Sequence, residues 1–183
     1  MQKFNMTTKR ISLYIIGLFF LSLGVSFSIQ ANLGVSPVSS LAYAFALSFG
    51  FSVGLMTVVT NVLFICLQII LKKRFDHFKN YIIQLIVAFL FGFFIDVTLF
   101  LLQLLPTPDT LWMQWVFMIF SLITMPIGLF CYFSPKYPLM PYDALTHVLS
   151  DTFNIKFSKA KISGELANVI LAGLISIIFT RSL

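Results

Sequence analysis

Asp143, His147 and Asp151 follow one another at four-residue spacing in PYDALTHVLSD, so a helix would carry them along one face. Two carboxylates and an imidazole suggest metal ligation. A metal site, however, needs ligands that converge from several directions. This stripe is expected to face cytoplasmic water, and no metal is assigned. Asp96 is the sharper candidate, because it stands in the apolar run FGFFIDVTLF. A carboxylate there costs about 2.5–3.5 kcal/mol on insertion scales. It is expected to face the protein interior near Ser36–Ser40, binding a cation or proton or else locking that segment in place. Ser36, Ser39 and Ser40 beside Pro37, and Tyr142 and Asp143 beside Pro141, are further candidates for contacting a substrate or ion. Asn61 and Asn168 lie at near-equivalent places in apolar runs, where amides bond between helices for about 0.6 kcal/mol on average. Interhelical glue is the favoured role for both. Glu165, just after Lys159 and Lys161, reads as a first-turn acid. No nucleophile–base pair, HExxH, P-loop or carboxylate dyad occurs, so neither an enzyme nor a cofactor is expected.

These residues sit in a chain composed for lipid. Of 183 residues, 59% are hydrophobic and 10% charged, against about a quarter charged in soluble domains. The mean hydropathy is +0.98. One integral membrane domain, 1–183, is expected. Cys66 and Cys131 lie inside apolar runs and read as small buried hydrophobes. The net charge of +6 is gathered between apolar runs and forms no basic stripe interleaved with stacking aromatics, so nucleic acid is not an expected partner. The run Ile11–Ile29 after MQKFNMTTKR exceeds the apolar length of about 7–15 residues of a secretory signal and reads as a retained first helix.

Five segments reach the roughly 20 apolar residues that a crossing requires: 11–30, 52–71, 80–105, 111–133 and 162–180. Lys3, Lys9 and Arg10 precede the first. Lys72, Lys73, Arg74 and Lys79 separate the second from the third, and Lys136, Lys156, Lys159 and Lys161 the fourth from the fifth. With the N-terminus in the cytoplasm, all but Arg181 of the 12 basic residues are inside. The uncharged segment ANLGVSPVSSLAYAFALSFG, 31–50, cannot then be a crossing, because KKRFDHFK would be moved outside. Residues 36–49 are expected to re-enter from the outer face or lie at the interface.

The same device recurs. LGVSFSIQANLGVSPVSSL (23–41) aligns with IGLFCYFSPKYPLMPYDAL (127–145), pairing Gly24 with Gly128 and Pro37 with Pro141. After a two-residue slip, Phe51-Ser52 meets Phe157-Ser158. Each repeat, 11–105 and 111–183, reads as a full span, a Pro-initiated half-helix (36–49 and 141–152) and a full span. Proline at the first helical position costs little, since that N–H lacks an intrahelical partner anyway. Each half-helix then points its positive end at the mouth of the domain. The first span runs outward and the fourth inward, so the repeats are inverted, which marks transporter sites. The second copy lacks a counterpart of 80–105. Either a sixth helix follows Leu183 or the protein works with five.

At ANLGVSP, FGFFID and PLMPYDAL the sequence resembles the bacterial YitT/YczE-like family of multipass membrane proteins. The resemblance covers nearly the whole chain and implies an integral protein of the bacterial cytoplasmic membrane, with further chain beyond residue 183. The overall expectation is an all-α polytopic membrane bundle. Its function is small-solute transport or a channel-like activity, with the site between the half-helices. A non-enzymatic accessory factor stabilising another membrane complex is the alternative. A substrate-capturing subunit of a vitamin importer ranks lower, because YIIGLFFLSLGVSF lacks the AxxxA pattern such subunits use for docking. The expected partners are the lipid bilayer, a small solute or ion, and a second copy or another membrane protein.

Overall fold

The computed structural model describes residues 2–72, 78–135 and 137–180, and every regular element among them is an α-helix. The order is α1 (Gln2–Ala31), α2 (Pro37–Phe49), α3 (Val53–Lys72), α4 (Phe78–Gln103), α5 (Leu111–Phe133), α6 (Pro141–Phe153) and α7 (Phe157–Thr180). Of the charged segments that suggested sidedness, 73–77, Lys136 and 181–183 lie outside the described residues.

Helices α1, α3, α4, α5 and α7 are long and apolar enough to cross a membrane. Helices α2 and α6 have 13 residues each. At 1.5 Å per residue they span about 20 Å, short of a hydrocarbon core of about 30 Å. Surface composition fits lipid: along the apolar stretch of α7 only 11% is buried, and Leu, Ile and Phe side chains cover the rest. Trp112 and Trp115 stand exposed in the first turns of α5, the level at which indoles favour a membrane interface.

Local chemistry explains the boundaries. Ser36 caps α2 by accepting the Ser39 N–H at 3.4 Å, with Pro37 at the first helical position. Helix α6 also starts with proline, but its N-cap is Met140 and no side chain caps it. Both short helices end in a left-handed residue, Gly50 (φ 71°) and Asn154 (φ 53°), whose N–H closes the last turn. Helix α7 begins at Phe157 rather than near 162, since Lys156 accepts the N–H groups of Lys159 and Ala160 and opens the helix through a polar first turn. The expected two-residue slip is absent. Pro37 and Pro141 keep the same offset as Val53 and Phe157, the starts of the long helices that follow.

The chain forms two compact units, each drawing on both halves of the sequence. The first, Met1–Val35 and Phe93–Tyr137, holds α1, the end of α4, and α5. Its axis is a close approach of α1 and α5. A Cβ on Gly17 would lie 2.5 Å from the Tyr132 nitrogen, and one on Gly128 2.6 Å from the Leu21 nitrogen. At Gly24 the obstacle is Met125, at 2.6 Å. The Ser121 hydroxyl donates to the Gly24 carbonyl at 2.7 Å, and Ser26 and Thr98 share a hydrogen bond of 2.7 Å. The sequence-derived pairing of Gly24 with Gly128 thus corresponds to two glycines in one interface.

The second unit, Ser36–Gly92 and Pro138–Leu183, holds α2, α3, the start of α4, α6 and α7. Leu41, Phe64, Tyr142 and Leu145 form its buried apolar cluster. Gly92 admits α3, with a built Cβ only 2.6 Å from the Gly54 carbonyl oxygen. Cys66, expected to be buried, is exposed on α3, because the apolar run that contains it also supplies the outward face of that helix.

Gly128→Val forces backbone apart and should cost about 1–3 kcal/mol. Gly173→Ala, where nothing lies within 4 Å of an added Cβ, should hold or raise stability. Thermal unfolding in detergent separates the two, and equal melting temperatures would contradict the α1–α5 packing.

Candidate functional site

In the second unit the first turns of α2 and α6 border one small cavity of about 40 Å³. Val38 and Ser39 come from α2, Met140 and Tyr142 from the start of α6, and Thr57, Thr60 and Asn61 from α3. A water needs about 10–15 Å³ of such space, so the cavity admits about three waters or a solute of that size. The starts of both half-helices thus border one cavity alongside α3.

Sequence dictates the polarity of the lining. Thr57 and Thr60 donate to the Val53 and Met56 carbonyls at 2.8 Å, and the Asn61 amide donates to the Thr57 carbonyl at 2.9 Å. The two hydroxyl protons are spent on the backbone of α3, which leaves the hydroxyl oxygens as acceptors, while the Asn61 amide keeps its oxygen and its second N–H. The first turns of α2 and α6, with their positive dipole ends, border the same cavity. The pocket can therefore hydrogen-bond in both senses.

Tyr142 closes one side. Its ring packs on Phe64 with centroids 5.4 Å apart, and its hydroxyl donates to the Lys161 carbonyl at 3.4 Å. Burial, then the Glu165 and Asp143 carboxylates, push the phenol above its usual range, while the Thr146 contact acts in the opposite direction. Tyr142 is therefore a neutral group at any physiological pH. Asp143 pairs with Lys161 at 3.7 Å, so it leaves the acidic stripe and anchors α6 to α7. His147 stacks on Phe157, with centroids 4.4 Å apart, and with Asp151 lines a larger cavity of about 250 Å³ further along α3. Among the described residues no cluster of three His, Cys, Asp or Glu is arranged to hold a metal.

The other candidates are dispersed. Ser36 and Ser40 serve α2 itself, Ser40 donating to the Pro37 carbonyl at 2.8 Å. Asp96 is half-buried in the part of α4 that belongs to the first unit, whereas Ser36–Ser40 belongs to the second. Asn168 is 4% exposed, and its Nδ2 is enclosed without a partner. It lies one turn beyond Gly164, where a Cβ would stand 3.2 Å from the Tyr142 hydroxyl. Sequence reasoning missed Thr57, Thr60, Gln68 and Gln84. The two glutamines are visible in the sequence as amides within the apolar runs on either side of the KKR loop. Gln68 donates to Gln84 at 3.1 Å and to the Pro141 carbonyl at 2.9 Å.

Residues 8–183 match the model of a family of unknown function, DUF6198, and the chain belongs to that family. It is 30% identical over 138 residues to the uncharacterized protein YyaS of Bacillus subtilis (strain 168), covering 75% of this chain and 67% of that one. No solved structure matches. The protein is thus a multipass membrane protein of a family without an assigned activity.

Gln68→Leu strands the Gln84 carbonyl and frees Pro141, so stability should fall by about 1–3 kcal/mol. Asn168→Leu removes an enclosed donor that has no partner and should raise stability by about 1 kcal/mol. The same sign for both in thermal melts would show that these hydrogen bonds do not set the energies.

Proposed function

We propose that the chain is a small-solute transporter or channel-like protein whose site is the cavity shared by the two half-helix ends. The observation that carries this reading is that Ser39 and Tyr142, from the first turns of α2 and α6, line one small cavity whose largely apolar wall carries a few polar groups, Thr57, Thr60 and Asn61 among them. Non-helical backbone at membrane depth is tolerated where it is enclosed by protein or lines a cavity, and broken helices aimed at a common point are how transporters build binding sites. The matched lengths, proline starts and left-handed ends of α2 and α6 support an inverted repeat, with the two halves related by a two-fold axis in the membrane plane. The distribution of basic residues supports a cytoplasmic N-terminus in a bacterial cytoplasmic membrane, in keeping with the likeness to YitT/YczE-like proteins. The chemistry is passage of a solute, with no covalent step.

The solute class follows from the lining. Neutral hydroxyl and amide groups beside the starts of α2 and α6 suit a small polar molecule or a partly dehydrated ion, and leave no fixed charge for a strongly ionic ligand.

In proteoliposomes, osmotic swelling with urea and glycerol, and dye-reported K⁺ and H⁺ flux, should detect passage of at least one of these. Thr60→Val keeps the shape but removes the hydroxyl, and should cut that flux at least tenfold without changing the melting temperature. Folded protein that carries none of them would favour the accessory-factor reading. In cysteine-free background, Lys159→Cys should label only from inside and Thr107→Cys only from outside. The reverse pattern would invert the topology.

A further inference from the structure

We propose that the larger cavity, about 250 Å³ between α3, α4 and α6, is a second binding site, for a small neutral molecule that presents an amide-type edge. Its inner end is made by Gln68 and Gln84, which are 2% and 6% exposed. The Pro141 carbonyl fixes how both amides point. Gln68 must turn its NH₂ toward that carbonyl, at 2.9 Å, and the same nitrogen donates to the Gln84 oxygen at 3.1 Å. This leaves the Gln68 oxygen as a spare acceptor and the Gln84 NH₂ as a spare donor. Among the described residues the enclosed side-chain polar atom without a partner is Asn168 Nδ2, so both spare groups retain accessible surface. The open space they border is this cavity. A buried acceptor beside a buried donor matches a carbonyl next to an N–H, as in a carboxamide or a pyrimidine edge.

The rest of the lining fits that class. Lys72, His147 and Asp151 bring both signs of charge to the cavity, while the amides that form its inner end are neutral. A charged group pressed against those amides would be desolvated without a counter-charge, which is costly. The volume lies just below the range of about 300–1,000 Å³ typical of drug-sized ligands, which suits a molecule of roughly ten non-hydrogen atoms. The site stands independently of transport through the smaller cavity.

Saturation-transfer NMR on the full chain in detergent, with nicotinamide and uracil as probes, tests this without any flux measurement. At least one should bind saturably, and acetophenone, a carbonyl without the N–H, should bind at least tenfold more weakly. Gln84→Glu, which replaces the donor by a carboxylate, should weaken binding at least tenfold. Ala144→Leu, which fills a lining position and leaves the glutamine pair intact, should do the same if Gln84→Glu fails to fold. Failure of both probes to saturate, equal binding of acetophenone, or undiminished binding by the folded variants would overturn the assignment. Any of these results would leave the transport reading untouched.

Discussion

A helix that starts between other helices in a membrane has no water to satisfy its first turn, and the second unit is arranged around that requirement. Its two short helices are anchored differently. Helix α2 is self-sufficient, because Ser36 occupies the N-cap and receives Ser39. At the matching place before α6 stands Met140, which has no capping group. The start of α6 is instead held from outside: Gln68 of α3 grips the Pro141 carbonyl, Tyr142 reaches the Lys161 carbonyl, and Asp143 meets the Lys161 ammonium. Three consecutive residues are thus tied to α3 and α7. The orientation of Gln84 then follows from Gln68, and with it the polarity of the larger cavity.

The first unit relies on closeness rather than on polar ties. Its glycines let α1 and α5 touch backbone to backbone. In lipid, helix contact gains little from the hydrophobic effect, so dispersion and short polar contacts such as Ser121 to Gly24 decide the pairing. Phe27 against Phe117 and Phe120 continues the same seam with aromatic contacts. One unit is therefore built on a close pair of spans, and the other holds the two cavities described above. Chemistry is concentrated in the second.

Much of this was legible in the sequence because the signals are local. Apolar length marks the five long helices, and proline after a break marks the two short ones. Ser36 as a cap and Asp143 as a first-turn acid follow from residue type alone. Helix starts were less legible: α1 and α7 extend through polar residues that no hydropathy window includes, yet whose backbone remains helical. The lining threonines were hidden for a different reason. A threonine that donates to its own helix looks inert in sequence, and only its neighbours reveal that its oxygen faces a cavity. Gln68 and Gln84 depend on a register between α3 and α4 that the loop between them does not disclose. Asn168 reads in sequence as glue, yet the structure gives its donor no partner, since interhelical bonding needs an acceptor that no single helix can announce.

The two cavities lie at successive depths on α3, one reached by Thr57, Thr60 and Asn61 and the other by Gln68 and Lys72. From Asn61 to Gln68 is about 10 Å of helix rise. Between those levels stand Phe64, packed on Tyr142, and Gln68, bonded to Pro141. In the transport reading this layer is the barrier, and a solute passing from one cavity to the other has to displace it. Phe64–Tyr142 is an apolar contact and can yield by rotamer change. The Gln68–Pro141 bond is more restrictive, because breaking it strips α6 of an external tie that its uncapped start lacks the means to replace. A solute with its own amide edge could take over one of the bonds of Gln68 as that contact opens.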